Sequence, residues 1–154
     1  MAGKGKAAAA AEGGDAAPKV NRRGELAIEL GGVKYNLRPS FAAIEAIEEK
    51  VAPLDALVTE LHNGRVSVAH MAVMTAELMK AHGTANPDDP LIHDYKGANP
   101  RKLAELIYEA GAMRARLVLG IIAVGALSGG YTAQGEAKPA AEKKGETPGA
   151  GSSD

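Results

Sequence analysis

Apolar and polar residues alternate with a period of two along residues 25–38, interrupted only by Gly31-Gly32. Such alternation is typical of β-strands that bury one face. Two glycines between two alternating runs are typical of a two-residue hairpin loop, which fixes how the strands pair. We therefore predict an antiparallel hairpin with one apolar face.

The two-residue loop implies one pairing register for both faces of the hairpin. The predicted pairs, apolar on one face and oppositely charged on the other, are Leu30–Val33, Ile28–Tyr35, Leu26–Leu37, Glu29–Lys34 and Glu25–Arg38. A shift of one residue would separate the apolar pairs and the charged pairs together, so the sequence specifies this register strongly.

A helical period replaces the alternation after Pro39, which ends the second strand, and Ser40 can cap the first turn of the helix. The apolar stripe of this helix is Phe41, Ile44, Ile47 and Val51. Because almost no linker separates hairpin and helix, we expect their apolar faces to pack on each other. Phe41, the only phenylalanine of the chain, is predicted to anchor that contact in the core. The alternative is an exposed contact with a partner.

Two further helices are predicted within residues 53–83. The first follows Pro53 and ends at Asn63-Gly64, and the second is capped by Ser67 and ends at His82-Gly83. Their apolar stripes are Leu54, Leu57, Val58 and Leu61 in the first, and Val68, Met71, Met74 or Thr75, and Leu78 in the second. The polar segment Thr84–Asn99 that follows is predicted to be a loop with at most a turn at Leu91–Tyr95, and its length suggests mobility or a partner contact.

The last two predicted helices are separated by Gly111. Asn99 caps the first of them and Pro100 starts it, with Leu103, Leu106 and Ile107 facing inward. The second spans about Met113–Leu127, with Leu117, Ile121 and Val124 on one face and Leu119 and Ile122 on others, and ends at Ser128-Gly129-Gly130. A helix that is apolar nearly all round is either central to the core or in contact with something outside the monomer.

These elements predict an α+β fold, mainly α, with an N-terminal two-stranded antiparallel β-hairpin packed on a bundle of four to five short helices. The hairpin-plus-helices domain is predicted to span residues 22–131, an ordinary size for a single core. Outside this domain, residues 1–21 and 132–154 contain no leucine, isoleucine or aromatic residue, and they are rich in alanine, glycine and lysine. We predict that both are disordered tails.

The sequence offers little for catalysis or metal binding. The chain has no cysteine, which excludes disulfides, thiolate zinc sites and cysteine nucleophiles and fits a cytoplasmic protein. It contains no nucleophile-elbow, P-loop or dinucleotide-binding motif. Histidines and carboxylates occur close together at His82, Asp88, Asp89, His93 and Asp94, but without the spacing of a known metal motif. We therefore predict no enzyme, no catalytic residue, no cofactor and no metal site.

Charge and hydropathy argue against nucleic acid and membrane as partners. The formal net charge is −1, and the basic residues Arg22-Arg23, Arg101-Lys102, Arg114 and Arg116 are dispersed among acidic ones. A DNA-binding module usually concentrates such charge on one face. The most apolar stretch, Leu117–Leu127, is too short to span a bilayer. A small DNA-binding regulatory domain stays as a further alternative.

Four methionines admit two interpretations. Met71, Met74, Met79 and Met113 occur in a chain with few aromatic residues. Methionine fills irregular gaps in cores, but it also forms adaptable surfaces that bind varied apolar helices. Composition alone does not separate the two.

The order of these elements resembles the gene-transfer-agent family of phage tail proteins, small tail assembly chaperones encoded beside the tape-measure protein. The resemblance rests on RGELAIELGGVKYNLRPSFAAIEAIEEKV, then PLDALVTEL with NGRVS, a helix ending in AHG, and a pair of helices containing EAG. The residues that match the family's hairpin-and-helix pattern are Gly24-Glu25, Tyr35, Leu37, Ile44 and Glu45. The similarity covers residues 22–127, and the stretch Asn86–Asn99 is longer and richer in proline and aspartate than the family leads us to expect.

The resemblance implies a protein without enzymatic activity that binds the tape-measure protein, a long apolar helical rod, and keeps it soluble in the bacterial cytoplasm during tail assembly. Tail tube protein and further copies of the chain are additional possible partners. The residues that we predict to bind the partner are Leu54, Leu57, Val58, Leu61, Met71 and Met74. The alternative for either stripe is that it is wholly internal. The alternative function is a structural tube or connector component of the particle.

Overall fold

A computed structural model describes residues 26–139, which form a β-hairpin and six helices. The elements are β1 (Leu26–Leu30), β2 (Val33–Leu37), α1 (Phe41–Lys50), α2 (Leu54–His62), α3 (Val68–Ala85), α4 (Ile92–Lys96), α5 (Pro100–Ala110) and α6 (Ala112–Leu127). The fold is therefore α+β and mainly α, as predicted.

The hairpin has the predicted register. Its pairs are Leu26–Leu37, Ala27–Asn36, Ile28–Tyr35, Glu29–Lys34 and Leu30–Val33. Gly31 and Gly32 have φ angles of 59° and 81°, as a tight hairpin loop requires at both central positions. The apolar face is buried, with Leu26, Ile28 and Leu37 each no more than 2% exposed.

Arg38 does not extend the charged face of the hairpin as predicted. Its predicted partner, Glu25, lies outside the described residues. The Arg38 side chain is buried, and its Nε–H donates to the Gln134 carbonyl oxygen at 2.8 Å. Its guanidinium also lies 3.7 Å from the Glu136 carboxylate. The buried cation is thus compensated by a segment almost a hundred residues away in sequence.

Three predicted helix caps are confirmed. Ser40 and Ser67 accept the backbone N–H of the residue three positions later, at 3.1 and 3.0 Å. The Asn99 side chain accepts the N–H groups of Arg101 and Lys102. Each cap satisfies amides that have no partner within the helix. Gly111, at φ 101°, separates α5 from α6 as expected.

Helix α3 is the centre of the fold. It contacts β2, α1, α4, α5 and α6. Its buried residues surround the helix rather than forming one stripe, and they are Met71, Ala72, Met74, Thr75, Ala76, Leu78, Met79, His82 and Gly83. Among these residues of α3, Thr75 carries a hydroxyl, which donates to the Met71 carbonyl oxygen at 2.8 Å. The hairpin and the first helix share the core through α3, which both β2 and α1 contact.

Helix α3 does not end at His82-Gly83 as predicted. It continues to Ala85. Gly83 does not adopt the left-handed conformation of a helix terminus, and instead allows a neighbouring helix to pack closely. A Cβ atom built at Gly83 would lie 2.9 Å from the Tyr95 Cβ atom, which is closer than side chains can approach. Glycine at this position therefore allows α4 to lie directly against α3.

Phe41 is not the predicted core anchor, because its side chain is 62% exposed. The buried residues of α1 are Ala43 and Ile47. Two residues along an α-helix correspond to a rotation of about 200°, so burial of Ala43 turns Phe41 towards solvent. The backbone of Phe41 contributes to the junction, where its N–H donates to the Ala133 carbonyl oxygen at 2.8 Å.

The chain after α6 forms a turn that packs on the junction between hairpin and α1. An isolated β-bridge joins Tyr131 to Ala137. Gly135, at φ 93°, lies so close that a Cβ atom there would be 2.8 Å from the Ser40 nitrogen. Residues 132–139, which we predicted as the start of a disordered tail, therefore belong to the folded body.

The remaining residues of both predicted tails, 1–21 and 140–154, lie outside the described residues. Within the described part of the chain, no single helix is long and apolar enough to cross a membrane. Only α5 and α6 taken together reach that length and apolarity, and they are bent by 115° at their junction.

Candidate functional site

Helix α6 has two apolar faces with different surroundings. One face is buried in the core through Ala115, Val118, Leu119, Ile122 and Ala123. The other is an exposed stripe of large apolar side chains: Met113 is 68% exposed, Leu117 49%, Ile121 39% and Val124 52%. The helix therefore belongs to the core on one side and offers an apolar surface to a partner on the other. Both possibilities that its composition left open, a core helix and a partner contact, apply to different faces.

A groove of about 850 Å³ runs between this stripe and α2. Its lining residues are Val58, Leu61, His62, Met113, Arg114, Arg116, Leu117, Gly120, Ile121 and Val124. Gly120 deepens the groove because it carries no side chain, and no neighbouring atom occupies the position of a Cβ there. We name this surface the α2–α6 groove.

Two arginines give the α2–α6 groove a positive rim. Arg114 and Arg116 lie in the first turns of α6 and line the groove beside Leu117. The Arg116 guanidinium lies against Gly64, at the end of α2, where any larger residue would collide with it. An apolar floor with cations at one end suits an amphipathic segment that carries acidic side chains.

The residues that we predicted to bind the partner divide between core and groove. Leu57, Leu61, Met71 and Met74 are at most 3% exposed, and Leu54 and Val58 are half-buried. Val58 and the edge of Leu61 line the groove, whereas Met71 and Met74 face the core on α3. The methionines follow both interpretations, since Met79 is also buried while Met113 is exposed.

The groove-lining stripe of α6 was missing from the predicted binding residues. The signal that could have identified it was the apolar character of α6 on every side, since a helix in a small monomer has neighbours on only part of its circumference. The sequence shows the excess of apolar residues, but the direction in which the helix faces depends on its packing against α2 and α3.

The histidine and carboxylates near the predicted loop form a structural cluster. The His82 Nε2 atom lies 2.9 Å from the Asp89 carboxylate, and the His82 ring packs 4.4 Å from the Tyr95 ring. Asp89 also accepts the Leu91 N–H at 2.9 Å. Burial opposes ionisation of Asp89, but the hydrogen bonds from His82 and Leu91 outweigh it and lower the pKa of the Asp89 carboxyl.

This cluster fastens the segment between α3 and α5, which the sequence led us to expect as a mobile loop. The segment contains the short helix α4, and Tyr95 in that helix is 1% exposed. His93 and Asp88 are exposed to solvent. Among residues 26–139, no three histidine or acidic side chains come together in a group that could hold a metal ion.

The basic residues singled out in the sequence lie on different helices of the described structure. Arg101 lies on α5, where it forms an ion pair with Glu105 at 3.5 Å, while Arg114 and Arg116 belong to the groove. Arg22-Arg23 lies outside the described residues. The arrangement gives a DNA-binding domain no specific support.

One family model matches the chain, over residues 23–110, and is described as phage tail tube protein, GTA-gp10. The matched stretch includes the hairpin and α1–α5, while α6 follows it. No curated protein and no solved structure matches. The description names a structural tail protein and not an enzyme or an assembly chaperone. Since the match covers more than half of the chain, this protein belongs to the phage tail protein family described as GTA-gp10.

Proposed function

We propose that this protein is a structural component of the tail of a phage or gene transfer agent, in the tube or in a connector. In this role it binds neighbouring tail proteins, or further copies of itself, through the α2–α6 groove. The observation that carries the proposal is the exposed apolar stripe of α6 on a chain whose family is described by a tail tube protein.

The physical case for an interface rests on the cost of leaving this stripe in water. Complete burial of an exposed large apolar side chain contributes about 1.5–3 kcal/mol. Met113, Leu117, Ile121 and Val124 are between 39% and 68% exposed, so about half of that contribution is still available at each. Four such side chains in one groove supply several kcal/mol to an association, which is ample for a partner held at high local concentration in an assembly.

The proposal is tested by measuring the protein in purified particles. Quantitative mass spectrometry with labelled peptides should find it at a fixed ratio to the other tail proteins in every preparation. A Leu117→Lys variant should be incorporated poorly because a charge in the groove opposes burial. Tyr108→Lys, at an exposed position on α5 outside the groove, is the matched control and should be incorporated normally. Absence of the protein from particles would contradict a structural role.

A tail assembly chaperone is the second candidate, and one feature of the groove favours it. The groove is already open in a single copy and extends along α6 from Met113 to Val124, about three helical turns. It can therefore cover one apolar helix of an unassembled client such as the tape-measure protein, acting in the bacterial cytoplasm before the particle is complete.

Two measurements distinguish this candidate from the structural one. A chaperone should be abundant in the producing cell and depleted from particles. Coexpression should keep the tape-measure protein soluble, and the two should copurify unless Leu117 is replaced by Lys. Failure of both measurements would remove the chaperone role and leave the structural one.

A further inference from the structure

Helix α1 exposes a stripe that combines one aromatic ring with acidic side chains. Phe41, Glu45 and Glu49 are separated by four residues each and therefore lie on the same face of the helix. All three are exposed, Phe41 by 62%. Glu48 belongs to the same side of the helix, but its carboxylate accepts the Leu54 N–H at 2.8 Å and so serves the start of α2. We name Phe41, Glu45 and Glu49 the α1 stripe.

The α1 stripe and the α2–α6 groove are complementary in shape and charge. The stripe presents a projecting ring followed by carboxylates, and the groove presents an aliphatic floor with Arg114 and Arg116 at one end. Apolar burial would supply the affinity of such a contact, while opposite charges would orient it.

From this complementarity we infer that the α1 stripe of one copy docks into the α2–α6 groove of a second copy of this chain. The inference rests on the proposed structural function and names the partner as the same protein. No residue of α1 lines the groove, so every copy carries both surfaces at once. Such a head-to-tail contact repeats from copy to copy, giving a ring if the rotation closes and a filament if it does not.

Another exposed aromatic residue, Tyr108 on α5, fits the groove less well. It is 77% exposed and lies between Glu105 and Glu109. Arg101, however, forms an ion pair with Glu105 at 3.5 Å, so the charge of this surface is mixed. A mixed surface has no preference for the arginine rim, whereas both charged residues of the α1 stripe, Glu45 and Glu49, are acidic.

The first test is sedimentation velocity of the purified full-length chain over a series of concentrations. Wild-type protein should associate reversibly, and more weakly at high salt because exposed charges are screened. Phe41→Ala and Leu117→Lys should each weaken association at least tenfold. Tyr108→Ala is the matched control and should leave association unchanged. Circular dichroism of each variant should match the wild type, because all three positions are exposed.

Charge reversal gives a sharper second test. Glu45→Lys with Glu49→Lys makes the stripe basic, and Arg114→Glu with Arg116→Glu makes the groove acidic. Each double variant alone should remain monomeric, since its stripe and groove then carry the same sign of charge. An equimolar mixture of the two should associate, because each stripe then meets a groove of opposite charge. No loss-of-folding effect can produce recovery on mixing.

The outcomes separate this inference from the proposed function. Wild-type chain that stays monomeric at every concentration, or association that survives Phe41→Ala, overturns the contact between copies even if the protein is present in particles. Loss of association in Tyr108→Ala moves the contact to α5 and also overturns it. Self-association of the wild type, with recovery on mixing the two charge-reversed variants, supports the contact even if particles lack the protein. Absence from particles would instead contradict the structural role.

Discussion

The Tyr95 phenol oxygen accepts the backbone N–H of Asn36 at 2.8 Å, joining α4 to the free edge of β2. A second bond runs in parallel, from the Tyr35 hydroxyl to the Asp94 carboxylate at 3.0 Å. The two tyrosine rings meet edge to face, with centroids 5.8 Å apart. This pair of contacts holds the polar segment between α3 and α5 against the hairpin and covers a strand edge that would otherwise be open to pairing.

Replacing Tyr95 by Phe should lower the free energy of unfolding by about 1–3 kcal/mol. The ring packing is retained, but the Asn36 N–H loses its acceptor in a site where water enters poorly. Urea denaturation followed by circular dichroism measures the change. Tyr35→Phe is the comparison, and its cost should be smaller because Asp94 is exposed and water can replace the lost donor. Equal costs for the two variants would contradict this account.

Because of the pair formed by His82 and Asp89, the free energy of unfolding should decrease when the pH is lowered into the acid range. Because the folded-state pKa of Asp89 is lowered, its carboxylate stabilises the fold above the unfolded-state pKa of about 3.9, and this contribution is lost as pH falls through the folded-state value. Asp89→Asn should therefore be less stable than wild type at neutral pH. The difference should shrink as pH falls below about 4.

Denaturation midpoints measured at a series of pH values test this dependence. Asp88→Asn is the matched control, since Asp88 is an exposed neighbour on the same segment. A difference between Asp89→Asn and wild type that stays constant down to the lowest pH would show that the ionised carboxylate contributes nothing beyond its packing.

Local spacing was sufficient to predict the hairpin register, the three caps and the break at Gly111. Each of these depends on residues within a few positions of one another, so the sequence contains all of the information. The direction of α1 does not. The predicted stripe of Phe41, Ile44, Ile47 and Val51 shares only Ile47 with the buried residues Ala43 and Ile47. The contact between α1 and α3 buries Ala43 and leaves Phe41 exposed.

The candidate site was predictable only in part for the same reason. The excess apolar character of α6 and the Val58–Leu61 side of α2 were visible in the sequence, and both contribute to the groove. Which methionines lie inside was not visible, because Met71 and Met113 differ in their neighbours and not in their local pattern. Long-range contacts such as Arg38 with Gln134 leave no periodic signal at all.

Gly135 should be intolerant of any side chain. Gly135→Ala places a Cβ atom 2.8 Å from the Ser40 nitrogen at a φ of 93°, combining a backbone clash with a strained dihedral. We expect a loss of about 2–4 kcal/mol in unfolding free energy, from a strain of about 1–3 kcal/mol plus the displaced turn. Gly129→Ala is the matched control, because Gly129 has a φ of 76° but no atom within 4 Å of the added carbon.

Urea denaturation of both glycine variants separates the two effects. Gly129→Ala should show only the cost of the dihedral, about 1–2 kcal/mol. If Gly135→Ala were as stable as Gly129→Ala, the turn after α6 would not be packed on the junction between hairpin and α1.

The same substitution at a core position of α2 and at a groove-lining position of α6 should have different consequences. Leu57→Asp buries a charge at a position that is 1% exposed in the contact between α2 and the core, so the helical circular dichroism signal should be lost. Leu117→Asp adds the same charge at a position that is 49% exposed, and its unfolding free energy should stay within about 1 kcal/mol of wild type.

Binding to a tail partner or to a second copy should nevertheless fail in Leu117→Asp, because the carboxylate must lose water to enter the interface. A folded Leu117→Asp variant that binds as well as wild type would place the functional surface elsewhere. An unfolded one would show that α6 needs its outer face for the stability of the monomer.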